Sequence, residues 1–213
     1  MSGDASNRGV IRLYRAPWST NCERVTLALG HKGLEADSVW IDYSDRSQVE
    51  QVSGQPLVPV VDFDGEIVHD SPRIIARLEE LYPEPPLYPA DPARRAELDV
   101  FVEWFQQVWK RPPNEIERIL RLPETDPDQF AELSGRMDEW LDVFESMLDG
   151  RDYLFGDDFS AADCIAYPFL KYAKSRDPED DELFHRILDE YQSVAGRPRL
   201  SAWIDRVSQR PQA

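Results

Sequence analysis

Ser19-Thr20-Asn21-Cys22 has the spacing of a C-x-x-C redox pair with serine in place of the first cysteine, set between a stretch that reads as a strand and one that reads as a helix. At a helix N-terminus the unpaired backbone N–H groups and the macrodipole stabilise an anion, which is why a thiolate is favoured there. Serine keeps the anion site and removes the nucleophile, since its hydroxyl has no general base nearby in sequence. The anion held there is then a thiolate carried in by a small-molecule thiol, with the Ser19 hydroxyl as its donor. Cys22 reads as a partly buried structural residue, because a resolving cysteine without its attacking partner does little redox chemistry. Trp18, beside the serine, reads as a wall of the pocket.

The elements that must position these residues form a mixed sheet. Val10–Tyr14 reads as a strand and Cys22–His31 as a helix with the apolar stripe Val25, Ala28 and Leu29, ending at Gly33. Ser38–Tyr43 alternates as a second strand, and Asp45–Val52 is a short polar helix or turn. Leu57–Asp62 and Glu66–Val68 make a hairpin about Asp64-Gly65, a pair that accepts positive φ. Ser71–Leu81 is helical, with Pro72 in its first turn. The order β-α-β-α-β-β-α puts a parallel pair before an antiparallel one, hence a mixed sheet with helices on its faces.

Pro83, Pro85, Pro86, Pro89 and Pro92 then mark a linker that neither helix nor strand survives. Beyond it the apolar period becomes that of a helix. Leu98, Phe101, Val102, Phe105, Val108 and Trp109 make one face, and Phe130, Leu133, Met137, Trp140, Leu141, Phe144 and Leu148 another. Ala162–Ala173, Leu183–Tyr191 and Leu200–Val207 follow, giving an all-α bundle of about five helices. The expected division is residues 1–82, with 1–9 flexible, a linker over 83–92, and an all-helical domain over 93–213. Val100 and Trp104 lie off the main stripe of the first bundle helix, so Trp104 is expected as an exposed aromatic facing an electrophilic substrate, a second subunit or the first domain.

Composition excludes several classes. A formal charge of −17, from 24 basic and 41 acidic residues, leaves no Lys/Arg cluster for a phosphate backbone, so nucleic acid is not an expected partner. No run approaches the roughly 18 apolar residues of a membrane span. Two cysteines, Cys22 and Cys164, lie far apart, and the N-terminal residues lack the order of a signal peptide, which points to a reducing, cytoplasmic setting. His31, His69 and His185 are scattered without metal-ligand spacing, so no metal is expected.

Four segments, in order, carry a resemblance. Ser19-Thr20-Asn21-Cys22-Glu23-Arg24-Val25 resembles the active-site serine loop and first helix of the serine-type glutathione S-transferases; Leu57-Val58-Pro59-Val60 resembles their V-P segment, whose proline is cis; Asp70-Ser71 resembles their acidic-Ser pair; and Phe159-Ser160-Ala161-Ala162-Asp163 resembles the capping segment of their buried helix. The chain is thus similar to the glutathione S-transferase superfamily over roughly residues 10–205. The resemblance implies a thioredoxin-like N-terminal domain, α/β, followed by an all-α bundle, and a homodimer packed through the first bundle helix. It implies a detoxification transferase that uses glutathione, or another low-molecular-weight thiol, against an apolar electrophile.

Each segment also has a physical reason. A cis X-Pro bond would turn the Val58 N–H and C=O outward, where they pair with an extended peptide ligand. Ser71 can offer its amide and hydroxyl to a ligand carboxylate while Asp70 receives an ammonium group, matching a γ-glutamyl end. Ser160 and Asp163 read as a structural capping box. Ser19 is the expected catalytic residue; Val58, Pro59, Asp70 and Ser71 bind the thiol; Trp18, Cys22 and Trp104 border the pocket. Because glutathione is an anion approaching an acidic protein, its capture depends on local cations such as Arg15, Arg24 or Arg73. Two other readings stand beside this one: a non-catalytic transferase-like interaction module, and a glutaredoxin-like thiol-disulfide oxidoreductase using Cys22.

Overall fold

Four short strands, the inner two largely buried and the outer two not, make one sheet, and the computed structural model describes residues 10–213. The expected flexibility of residues 1–9 lies outside the described residues. In β1 (Ile11–Arg15), Ile11 and Leu13 point inward while Arg12 is exposed. It pairs in parallel with β2 (Asp37–Trp40) and antiparallel with β3 (Val60–Phe63), which pairs antiparallel with β4 (Glu66–His69). The strand order is β2-β1-β3-β4, a mixed thioredoxin-like sheet. The β3–β4 turn runs through Asp64 and Gly65, both at positive φ (54° and 100°), as that residue pair predicts.

Helix α1 (Thr20–His31) buries Val25, Leu27, Ala28 and Leu29, and packs on α3 (Ser71–Leu81). Between them α2 (Ser47–Ser53) inserts Val49 into a small cluster with Tyr14, Ile41 and Val60. Lys32, at the end of α1, has a fully buried side chain whose ammonium donates to Glu79 Oε2 at 2.7 Å, to the Tyr82 carbonyl at 2.6 Å and to the Pro85 carbonyl at 3.0 Å. The chain divides into two compact units, one up to Pro85 together with Pro211–Ala213, the other Pro86–Arg210. The last three residues therefore lie on the first unit, not with the bundle: the Ala213 N–H donates to the Thr26 carbonyl, Arg15 donates to the Ala213 carbonyl, and a side chain at Gly30 would collide with the Pro211 backbone.

The second unit has seven α-helices where the apolar stripes suggested about five. Each long stripe is broken once. Pro92 opens α4 (Pro92–Trp104) instead of closing the linker, with Asp91 capping it. After Trp104 comes a π-helical turn, Phe105–Trp109, in which the Lys110 N–H reaches back to the Phe105 carbonyl. Then α5 (Arg111–Leu120) starts on Pro112 and Pro113, residues that suit a first turn and no other. The second stripe divides at Trp140 into α6 (Pro127–Glu139) and α7 (Leu141–Met147).

At the centre lies α8 (Ala161–Leu170), with all ten residues buried. Phe105 stacks on Trp109 with ring centroids 4.4 Å apart, and Phe144 and Phe169 meet both edge-on. The capping box is formed: Asp163 accepts from the Ser160 N–H and hydroxyl at 2.9 and 2.8 Å, from the Leu154 N–H at 3.0 Å, and from Trp203 Nε1 at 2.8 Å. Burial pushes the Asp163 carboxyl up while these four donors pull it down. Helices α9 (Leu183–Glu190) and α10 (Pro198–Ser208) complete the unit. Among the described residues no helix is long and apolar enough to cross a membrane.

Candidate functional site

One rung of the sheet organises the site. Tyr14 of β1 sits opposite Val60 of β3, and Val60 opposite His69 of β4. The loop after β1 carries Trp18 and Ser19, the segment before β3 carries Val58 and Pro59, and the step after β4 carries Asp70 and Ser71. The register thus brings all three sequence-predicted segments to the same end of the sheet. The Val58–Pro59 bond is cis, as the resemblance implied.

Ser19 is the N-cap of α1, and its Oγ accepts the Cys22 N–H at 3.3 Å. The hydroxyl hydrogen is not used in that bond and can rotate, toward the Cys22 sulfur below it or toward a ligand above the helix. At α3 the N-cap position belongs to Asp70, yet its side chain makes no capping hydrogen bond and is exposed. Ser71 is buried, and its Oγ accepts from Arg24 Nη1 at 3.3 Å. Two of the three non-glycine residues at positive φ among the described residues are Trp18 (58°) and Asp70 (74°), each placed directly before one of the two serines. Such backbone costs about 1–3 kcal/mol per residue and clusters at functional sites.

Arg24 is the residue whose role sequence reasoning missed. It was expected as a local cation open to ligand; instead it is fully buried, and one guanidinium nitrogen donates both to Asn21 Oδ1 at 3.2 Å and to Ser71 Oγ. It pins the N-terminus of α1 to that of α3 from behind, adding a fixed positive charge where two helix N-termini already converge. The signal was available in its place five residues after Ser19, since that offset brings it to the face of α1 turned toward α3. Arg73 is exposed, and Arg15 stacks over Trp40 at 4.6 Å from the ring centroid while donating to Ala213.

Cys22 is more deeply placed than expected, 1% exposed rather than partly buried. Burial pushes its thiol up, with hydrogen bonds from Ser19 and the Ala16 backbone, and the charge of Arg15, acting the other way. A protonated thiol without solvent access is a poor redox nucleophile. Trp18 is 43% exposed on its loop. Trp104 is not the exposed aromatic its flanking position suggested: it is half-buried, because Trp140 and Phe144, distant in sequence, bring their rings to about 6.0 Å from its own, as does Phe101. Among the described residues no group of three or more His, Cys, Asp and Glu side chains is placed to hold a metal ion. His185 instead bonds the buried Asp180 at 2.9 Å and stacks on Tyr172.

Comparison with known proteins agrees with this geometry. Residues 13–86 match the glutathione S-transferase N-terminal domain, and residues 127–206 the glutathione S-transferase C-terminal domain. A maleylacetoacetate isomerase of Pseudomonas aeruginosa is 31% identical, with 78% of this chain and 82% of that protein covered. FtsZ-localized protein A of Caulobacter vibrioides is 30% identical, with 74% and 75% covered. The crystal structure of the β-etherase LigF from a Sphingobium species superposes with a TM-score of 0.76 at 23% identity, covering 95% of this chain and 96% of that one. A mixed thioredoxin-like sheet, a capping serine at α1 and both family domains in order place the chain in the glutathione S-transferase superfamily.

Proposed function

We propose that this chain is a glutathione transferase that holds a small-molecule thiol as its thiolate and delivers it to an apolar electrophile. The observation that carries this reading is the convergence of Ser19, Val58–Pro59 and Asp70-Ser71 at one end of the sheet, with the buried Arg24 tying Ser71 to Asn21 in the first turn of α1. Glutathione fits the donors and acceptors in order. Its γ-glutamyl carboxylate meets the N-terminus of α3 and the Ser71 hydroxyl, and its ammonium meets the exposed Asp70 carboxylate. Its cysteinyl backbone pairs with Val58, whose N–H and C=O are engaged by no other backbone group among the described residues. Its sulfur reaches Ser19.

A free thiol with a pKa near 8.5 is only a few per cent ionised at neutral pH. A hydrogen bond from Ser19 and the field of the α1 N-terminus lower it by roughly two units, or about 2.7 kcal/mol, so that most of the bound thiol is thiolate. The sulfur lone pair then forms the new bond to the electrophilic carbon; a leaving group departs, or a double bond takes up the charge. The enzyme's share is ionisation and proximity. The buried, protonated Cys22 suits this role, since a second thiolate beside Ser19 would repel the first. The same reading carries a cytoplasmic homodimer.

Calorimetric titration with glutathione and with its S-hexyl conjugate tests the binding step, and Ser19→Ala tests the chemistry. Both ligands bind, the conjugate more tightly, and Ser19→Ala loses about 100-fold in turnover while keeping thiol affinity. An unchanged rate in Ser19→Ala removes Ser19 from the mechanism. A second reading, an interaction module without turnover, draws support from the likeness to FtsZ-localized protein A. It requires thiol binding without turnover of any electrophile tried, and indifference to Ser19→Ala.

A further inference from the structure

Pro211-Gln212-Ala213 lies along the two elements that frame Ser19, and one of its residues bonds both. The Ala213 N–H donates to the Thr26 carbonyl in the second turn of α1 at 3.2 Å, and the Ala213 carbonyl accepts from Nη1 of Arg15, the last residue of β1, at 3.1 Å. The fully buried Thr26 hydroxyl donates to Gln212 Oε1 at 3.1 Å. Pro211 comes so close to α1 that a Cβ built on Gly30 would meet its carbonyl carbon at 2.5 Å and the Gln212 nitrogen at 2.8 Å. The other described glycines either take positive φ or, at Gly135, face open space, so Gly30 is the one among them whose missing side chain is explained by a close approach. Within a helix that absence costs stability relative to alanine.

Between Arg15 and α1 runs the loop Ala16–Ser19, and little inside it fixes its shape. The Ser19 N–H reaches the Ala16 carbonyl at 3.5 Å, longer than a normal bond of this type, and Trp18 sits at φ 58°. Strained backbone of this kind persists only where its surroundings over-determine it. The segment bonds both flanks of the loop, Arg15 just before it and α1 just after. We propose that Pro211–Ala213 is a positioning strap for Ser19, holding the loop in the shape that lets the serine hydroxyl reach the bound thiol. The inference rests on the thiol-site reading given above and extends it to residues that grip β1 and α1 rather than the thiol. A reacting group misplaced by about 1 Å loses about 100-fold in rate, so a much smaller shift accounts for a tenth of that. Because the γ-glutamyl end is held at α3, the loss falls on turnover and not on thiol affinity.

The test compares the full chain with a chain ending at Arg210, each with and without Gly30→Ala, using glutathione and chlorodinitrobenzene. Ending the chain at Arg210 lowers kcat about tenfold and leaves the glutathione Kd within about twofold. Gly30→Ala in the full chain expels the strap and gives the same loss. In the shortened chain it adds no further loss and raises the unfolding midpoint by about 2 °C, since alanine is the better helix former and the fold is otherwise intact. In Ser19→Ala, shortening leaves kcat where it was, because the strap acts through that hydroxyl. Hydrogen exchange across residues 16–22 reads the strap without any turnover and is faster in the shortened chain. An unchanged kcat in the shortened chain, an equal loss in Ser19→Ala, glutathione affinity falling in step with kcat, or unchanged exchange overturns the strap while the thiol site stands. A full chain that neither binds nor turns over glutathione overturns the thiol-site reading, and the role of the strap with it.

Discussion

The two units each present a serine and an aspartate at a helix N-terminus, and they use them in opposite ways. In the helical unit Ser160 and Asp163 close on each other, and the carboxylate is fully buried under four donors. In the sheet unit Ser71 is buried against Arg24 while Asp70 stays open: its carboxylate is exposed, makes no capping bond, and sits on a backbone at φ 74°. The same two residue types that complete the core in one place leave unspent hydrogen-bonding capacity in the other. A cap that satisfies its helix is structure; a cap position that declines to do so, on strained backbone, is available for a ligand.

Breaking the closed cap has the largest expected effect. Asp163→Ala orphans the Leu154 N–H and Trp203 Nε1 in the core, at a cost of about 4 kcal/mol. The unfolding midpoint falls by about 10 °C, with Asp163→Asn intermediate, and thermal denaturation reads both. Breaking the open one has little effect on stability. Asp70→Ala shifts the midpoint by no more than about 2 °C but weakens glutathione about tenfold or more, since one charge-assisted bond is lost; calorimetry separates the two. A result in which Asp70→Ala destabilises as much as Asp163→Ala would dissolve the contrast. Ser160→Ala sharpens it from the other side, costing about 1–2 kcal/mol in urea unfolding with turnover unchanged.

The smallest effect is on pH dependence. Cys22 is held protonated by burial, so above about pH 8.5 the unfolded chain loses a thiol proton that the folded chain keeps. The unfolded state then binds fewer protons, and stability falls as pH rises. Cys22→Ala removes its share of that slope, at most about 1.4 kcal/mol per pH unit, seen by comparing urea midpoints at roughly pH 8 and roughly pH 10.

Most of the sheet unit was legible because its signals are local. Asp64-Gly65 dictates the hairpin, Gly33 ends α1 and Pro72 starts α3 on chemistry that acts within a few residues. The helical stripes were legible as faces and not as boundaries. Leu98 to Trp109 keeps one apolar period whether the backbone is α-helical throughout or gains a π-turn, and Trp104 was placed on the wrong exposure because the rings that cover it, Trp140 and Phe144, come from elsewhere in the chain. The candidate site residues were legible as types; their convergence depends on the Tyr14–Val60–His69 register, a long-range fact. Arg24 and Cys22 show the same gap, since nothing local states that a guanidinium or a thiol will be sealed from water.

Lys32 has a consequence for reading the chain's basic residues. Only 4 of the 24 are lysine, so arginine is the default cation here. Yet at the end of α1 three separate oxygens, on Glu79, Tyr82 and Pro85, converge on one point at 2.6–3.0 Å. A tetrahedral ammonium has three hydrogens to match them in number and direction, whereas a planar fork cannot aim at three corners of a pyramid. Where the lattice of acceptors is three-sided, geometry overrules the composition of the whole sequence, and Lys32→Arg, the mildest substitution by charge, is a change of valence.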